Sequence, residues 1–264
     1  MAGTPIWYEL MTNDPAKVGA FYDAVLGWTV AEDGDTLPNG AKYGMIQRAD
    51  GGQAGCVLTL SPEMCEHGAR PVWLTYFHVP DVDASVAKAQ DMGASVQMPP
   101  MTMDGVGRMA MLADPQGAHF YVMTPMPPDG SDPGAGSAVF SPDAVGQCAW
   151  NELNTDGADE QESFYTSLFD WDVTGQMPMP DNHTYKFVND GDTPLGAIGS
   201  MKPEGVPSHW LPYFRVADID AAKAAVEANG GSVMMGPMEV PGDDYIVVGS
   251  DPDGAPLGLV GRRA

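Results

Sequence analysis

Trp7-Tyr8-Glu9-Leu10 recurs as Trp150-Asn151-Glu152-Leu153, and Phe21-Tyr22 with Trp28 recurs as Phe164-Tyr165 with Trp171, each displaced by 143 residues. Further on, Trp73-Leu74-Thr75-Tyr76-Phe77 returns as Trp210-Leu211-Pro212-Tyr213-Phe214, and Asp114-Pro115-Gln116-Gly117 as Asp251-Pro252-Asp253-Gly254, now displaced by 137. The chain is therefore an internal duplication whose first copy carries six more residues in its middle. Two copies of one pattern must fold along one route, which constrains the architecture more than any single motif does. At 264 residues the chain also has room for two cores of ordinary size.

Within the first copy, Asp14 can cap a helix that has Pro15 at its first position. Val18, Phe21, Tyr22, Val25 and Leu26 follow at the spacing of one buried face, and Gly27 ends it. Short apolar or alternating segments at Trp7 to Met11, Trp28 to Val30, Tyr43 to Ile46 and Cys56 to Leu60 read as half-buried strands. The order is βαβββ. It returns with a strand at Trp73 to Val79, a helix from Ala84 to Met92 ended by Gly93, and strands at Ser95 to Met98, Met109 to Ala113 and His119 to Met123. Asp114-Pro115-Gln116-Gly117 suits a type I turn joining the last two strands, and Asp251 to Gly254 does the same in the second copy. The fold class is α+β, with four βαβββ modules. Residues 125–137 are rich in Pro, Gly and Ser and cannot fill a core, so a linker over 125–143 is expected to join a domain over 1–124 to one over 144–264.

A formal charge of -24 would repel phosphate backbones, so nucleic acid and anionic membranes are not expected partners. The acidity reflects solubility charge or a saline habitat. Three cysteines, Cys56, Cys65 and Cys148, form no metal-type cluster, and their odd number argues against a disulfide framework. With neither a signal peptide nor a bilayer-spanning stretch in the sequence, the protein is expected to be cytoplasmic. It lacks a Gly-rich phosphate loop, a nucleophile elbow and a paired-Cys motif.

The paired βαβββ modules, the Phe-Tyr helix leading to Gly-Trp and the closing Asp-Pro-x-Gly hairpin resemble the vicinal oxygen chelate superfamily. This group includes glyoxalase I, extradiol dioxygenases, and fosfomycin and bleomycin resistance proteins. The layout is similar to that of tandem glyoxalase-like proteins often labelled hydroxylases. The resemblance covers nearly the whole chain outside the linker and implies two cup-shaped mixed sheets in tandem. It also implies a divalent metal held by His, Gln or Glu from first and last strands. Those positions fall on Trp7 and Trp150, near Leu74 and Leu211, and on Tyr121 and Gly258, while the strand from Ala54 to Leu58 offers no His or Glu. A metal site needs three or four converging donors, so no cofactor is expected, although a divalent metal on other residues stays open.

Glu9 and Glu152 stand in otherwise apolar first strands, and period-two alternation turns them to the same face as Trp7 and Trp150. A carboxylate on an apolar wall can act as general acid or base, or it can be a hydrogen-bonded detail of the fold. His119 and Tyr121 share a strand face that the resemblance directs into the first cup, where the second copy has Pro256 and Gly258. The candidate catalytic residues are Glu9, His119 and Tyr121. Trp7, Tyr76, Met109, Met111, Trp150, Glu152 and Tyr213 are the candidate ligand-binding residues. His78 and Arg215 occupy equivalent positions on the opposite phase, and His67, His183 and His209 are isolated. Eighteen methionines fill irregular cores or line an adaptable apolar pocket. Three readings follow: an enzyme acting on a small, partly apolar molecule in the first cup, a non-catalytic binding protein for an aromatic or antibiotic-like ligand, or a scaffold with filled cups. A duplicated chain often replaces a homodimer of single-cup subunits, which favours a monomer.

Overall fold

The computed structural model describes residues 2–37, 40–126, 138–202 and 204–264. The first half runs β1 (Pro5–Thr12), α1 (Pro15–Leu26), β2 (Thr29–Val30), β3 (Asp35–Thr36), β4 (Lys42–Gln47), β5 (Gln53–Thr59), α2 (Pro62–Glu66), β6 (Val72–His78), α3 (Val82–Asp91), β7 (Ser95–Met103), β8 (Gly107–Ala113) and β9 (His119–Pro125). The second runs β10 (Cys148–Asn154), α4 (Ala158–Phe169), β11 (Asp172–Pro178), β12 (Thr184–Asp190), β13 (Thr193–Gly199), β14 (His209–Arg215), α5 (Ile219–Ala228), β15 (Ser232–Val240), β16 (Asp244–Ser250) and β17 (Pro256–Gly261). The strands form two mixed sheets of the same order, β2-β4-β5-β1-β6-β9-β8-β7 and β11-β12-β13-β10-β14-β17-β16-β15, with β3 paired to β4. In each half the first strand pairs in parallel with a later strand of its own module, β1 with β5 and β10 with β13. The α+β fold of four βαβββ modules is therefore as the sequence pattern requires.

Local chemistry accounts for most boundaries. The Asp14 side chain accepts from Lys17 N at 3.1 Å, Pro15 opens α1, and Gly27 closes it in the left-handed region at φ 66°. Helix α3 begins at Val82, two residues before the sequence expectation, because the Asp81 side chain caps it by accepting from Ala84 N at 3.0 Å. Strand β7 runs on through Pro99-Pro100 to Met103; it lies at a sheet edge, where the missing N–H groups cost no ladder bond. Helix α2, capped by Ser61, is additional to the sequence expectation, and the described residues of the corresponding connection in the second half carry no helix.

The chain divides into two compact units, each holding one module from each half: Met1–Ile6, Thr75–Ser137 and Trp150–Leu211 in one, and Trp7–Leu74, Ala138–Ala149 and Pro212–Ala264 in the other. The Trp7–Leu74 unit buries Val18, Phe21, Tyr22 and Val25 of α1 with Ile219, Ala222 and Val226 of α5. Trp28 stacks on Tyr22 and meets Phe214 edge to face. A polar chain threads this core: Trp73 Nε1 donates to Tyr22 Oη at 2.8 Å, and Tyr22 Oη donates to Asp251 Oδ2 at 3.1 Å. The Thr75–Ser137 unit repeats it, with Trp210 Nε1 on Tyr165 Oη at 3.0 Å and Tyr165 Oη on Asp114 Oδ2 at 2.9 Å.

Asp114 and Asp251 also close their hairpins. Oδ1 of Asp114 accepts from Gln116 N and Ala118 N, and Oδ1 of Asp251 from Asp253 N and Ala255 N. Their i to i+3 backbone bonds are those expected of the Asp-Pro-x-Gly turn. Three repeated sequence motifs thus converge on one device, used twice.

Residues 127–137 of the expected linker lie outside the described residues. The segment that follows them is tied down by Arg48 Nη1, which donates to Ala138 O at 2.6 Å, and by Arg215 Nε, which donates to Pro142 O at 2.7 Å. Arg215 also holds Asp244 through both terminal nitrogens, at 3.1 and 2.9 Å. Among the described residues, no helix is long and apolar enough to cross a membrane.

Candidate functional site

Tyr8 and Leu10 of β1 alternate into the core, which turns Trp7, Glu9 and Met11 to the other face. Strand register then fixes their neighbours. Glu9 lies opposite Cys56 of β5, which lies opposite Met45 of β4, and Leu58 lies opposite both Met11 and Tyr43. Trp7 Nε1 donates to Cys56 Sγ at 3.2 Å, and the thiol has Glu9 Oε2 at 3.9 Å as an acceptor. Glu9 is 3% exposed. Burial, then the Glu9 charge, pushes the Cys56 thiol well above its ordinary pKa. The half-buried Tyr43 phenol, hydrogen-bonded to Cys56 and Trp7, is pushed up by burial first and by the Cys56 and Glu9 acids next. Both groups are held protonated beside Glu9.

The second copy keeps the pattern and changes its wiring. Glu152, Ala197 and Phe187 form one cross-strand row, and Asn154, Gly199 and Tyr185 the next. Tyr185 Oη accepts from Trp150 Nε1 at 2.8 Å and donates to Glu152 Oε2 at 2.7 Å, while Asn154 Nδ2 donates to Glu152 Oε1 at 3.0 Å. Gly199 explains the difference. A Cβ there would sit 3.2 Å from Tyr185 Cδ2, so the ring lies against a bare backbone, whereas Tyr43 has Leu58 beneath it. With Leu58 below, the Tyr43 hydroxyl meets Cys56 and Trp7; over Gly199 the Tyr185 hydroxyl reaches the glutamate.

In the other module of the first half, Tyr76 and Tyr121 are register partners whose rings stack at 4.0 Å, 10° from parallel. Met111 pairs with Tyr121, and Met109 with Met123. His119 is exposed at the hairpin end of β9, on the same strand face as Tyr121. Desolvation of its ring lowers its pKa, and Asp114 opposes that shift. In the second half Gly258 faces Tyr213, and a Cβ at 258 would overlap the Tyr213 ring. The difference between Tyr121 and Gly258 noted in the sequence is thus steric: two rings stack in one copy, and one ring lies on backbone in the other.

The structure brings Trp7 together with Glu9, Tyr76 with Tyr121 and Met111, and Trp150 with Glu152. Glu9 belongs to the Trp7–Leu74 unit, while His119 and Tyr121 belong to the Thr75–Ser137 unit. Sequence reasoning missed Tyr43, Cys56, Tyr185 and Phe187 as members of these clusters. Tyr43 and Tyr185 carry a usable signal, because each is the tyrosine of the third main strand in its copy. A cavity of about 320 Å³ near the start of α4, with Asp156, Asp159, Glu160, Asp181 and His183 in its wall, includes none of the expected site residues.

The family model of the glyoxalase/bleomycin resistance protein/dioxygenase superfamily matches residues 5–122 and again 144–259. The chain belongs to this superfamily. "Putative glyoxylase CFP32" of Mycobacterium tuberculosis is 33% identical over 255 residues, covering 96% of this chain and 92% of the relative. "Anthracycline biosynthesis protein DnrV" of Streptomyces peucetius is 31% identical over 282 residues, covering 99% and 94%. Among solved structures, a variant of homoprotocatechuate 2,3-dioxygenase from B. fuscum aligns with a TM-score of 0.67 at 15% identity, over 100% of this chain and 72% of that one. The Mn(II)-bound glyoxalase of Novosphingobium aromaticivorans aligns at 0.64 and 15%, over 100% and 84%. At this identity the likeness concerns the fold.

Members of the superfamily bind small-molecule substrates, and the fold implies a divalent metal. The residues here do not fit one of that kind. Tryptophan, leucine and glycine supply no donor at the corresponding positions and Tyr121 offers a single phenol oxygen, short of the three or four donors needed, and among the described residues no group of three or more His, Cys, Asp or Glu is arranged to hold a metal ion.

Proposed function

We propose that this superfamily member acts on a small, partly apolar molecule at the Glu9 cluster of its N-terminal half, with Glu9 as the general acid or base and without the family's usual metal. One observation carries the reading. A carboxyl group 3% exposed lies against a thiol and near a phenol that both stay protonated, on a strand face shared with Trp7. A buried carboxyl among proton-retaining neighbours is suited to moving one proton to or from a bound molecule. Two relatives named as anthracycline biosynthesis proteins, each about 30% identical over nearly the whole chain, support a ring-containing, oxygen-bearing substrate. The reaction itself is unassigned.

The test is a screen of hydroxylated aromatic compounds for conversion by mass spectrometry, repeated with Glu9→Gln. The expected result is that the variant still binds any converted compound while turnover falls by about 10²–10⁴-fold. Turnover at the wild-type rate in the variant overturns the role given to Glu9. A second reading, non-catalytic sequestration, draws on the stacked Tyr76 and Tyr121 rings beside Met111. It is favoured if compounds bind and none is converted by the wild-type protein.

A further inference from the structure

We propose that the C-terminal half carries a second ligand site, specific for organic cations, built from Trp150, Glu152, Tyr185 and Phe187. It does not depend on the Glu9 reading and shares no residue with it.

The four side chains project from one face of β10 and β12, and all are half-buried. The Phe187 ring stands 5.7 Å from Tyr185 at 77° and 6.2 Å from Trp150 at 69°. Three half-buried aromatic rings meeting at steep angles turn π surfaces in several directions beside a carboxylate, and ring faces of this kind attract an ammonium group. The polar ends of two of them are turned away from a ligand role, since Trp150 Nε1 donates to Tyr185 Oη and Tyr185 Oη to Glu152. The glutamate therefore stands beside the rings, oriented by Tyr185 and Asn154. A carboxylate next to aromatic faces matches a positive charge carried on an apolar body.

Comparison of the two copies sharpens the assignment. The row Glu152–Ala197–Phe187 corresponds to Glu9–Cys56–Met45, and Asn154–Gly199–Tyr185 to Met11–Leu58–Tyr43. The second copy has exchanged a thiol for Ala197, a leucine for Gly199 and a methionine for a third ring. Its glutamate is half-buried where Glu9 is buried. Less bulk on the middle strand, a more accessible carboxylate and an added ring all favour a cation. A net charge of -24 also draws cations toward the protein.

The probe is benzyltrimethylammonium, titrated calorimetrically into the full chain against sodium chloride as the salt control and benzyl alcohol as the uncharged comparison. The expected result is saturable binding of the cation that weakens at least tenfold in Glu152→Gln and also weakens in Phe187→Met. Glu9→Gln should keep the wild-type affinity, and benzyl alcohol should be insensitive to Glu152→Gln. The proposal is overturned if the cation does not bind, if Glu152→Gln binds it as the wild type does, if benzyl alcohol loses as much affinity in that variant, or if Glu9→Gln abolishes the binding. Phe187→Met installs the side chain of the first copy, so a well-folded variant with undiminished affinity also counts against it.

Discussion

Glu9 and Glu152 began from one ancestral position and now sit in different surroundings, and single neighbours account for it. Cys56 stands between Trp7 and Glu9, where the second copy has Ala197. Leu58 lies beneath Tyr43, where Gly199 lets Tyr185 reach Glu152. Gly199→Leu is expected to lift the Tyr185 ring and break its bond to Glu152, so the cation affinity proposed above should fall while Glu9-dependent turnover is unchanged; calorimetry and the conversion assay read the two separately. Gly258 gives a stability test. A methyl group there overlaps the Tyr213 ring, so Gly258→Ala should lose about 1–3 kcal/mol in urea denaturation, as overpacked cores do. Wild-type stability in that variant would contradict the close approach.

At the scale of elements, the Trp–Tyr–Asp chains explain why the most repetitive parts of the sequence repeat. Tyr22→Phe or Tyr165→Phe removes a hydrogen bond from a buried carboxyl group and should cost about 1–3 kcal/mol each, read as a lowered urea midpoint. The same carboxyls give a pH dependence. Burial raises the pKa of Asp114 and Asp251 in the fold, against the hydrogen bonds that lower it. A raised folded-state value means that their contribution is fully present below the unfolded pKa and is lost as pH rises through the folded one. The stability of the wild type relative to Asp251→Asn should therefore decline from about pH 4 upward; a difference that grows with pH would reverse the sign and refute the burial argument. The helices, main strands and Asp-Pro-x-Gly hairpins were legible because caps, periodicity and turn chemistry are local. Helix α2 and the first two residues of α3 depend on the single caps Ser61 and Asp81, which apolar periodicity does not mark. Tyr43, Cys56 and Tyr185 stayed hidden for a different reason: they reach the glutamates only through strand register, which apolar alternation does not specify.

For the whole molecule, the duplication was fully legible, and the family match over 5–122 and 144–259 follows it closely. The composition of the compact units was not. Each takes one module from each half, because Tyr22 finds its Asp251 and Tyr165 its Asp114 far along the chain, a choice made by tertiary packing. The charge of -24 acts on the molecule as a whole. Self-repulsion is screened over about 10 Å at 0.1 M salt and about 3 Å at 1 M, so the melting temperature should rise with added sodium chloride across that range. An unchanged or falling value would mean that local ion pairs outweigh the net charge. We propose a duplicated superfamily scaffold whose metal positions hold tryptophan, leucine, tyrosine and glycine and which works through Glu9. Metal quantification by mass spectrometry on the purified, dialysed chain tests it most directly. Far less than one equivalent of any divalent transition metal per chain is predicted; a full equivalent that is retained by the wild type and lost in Glu9→Gln would contradict it.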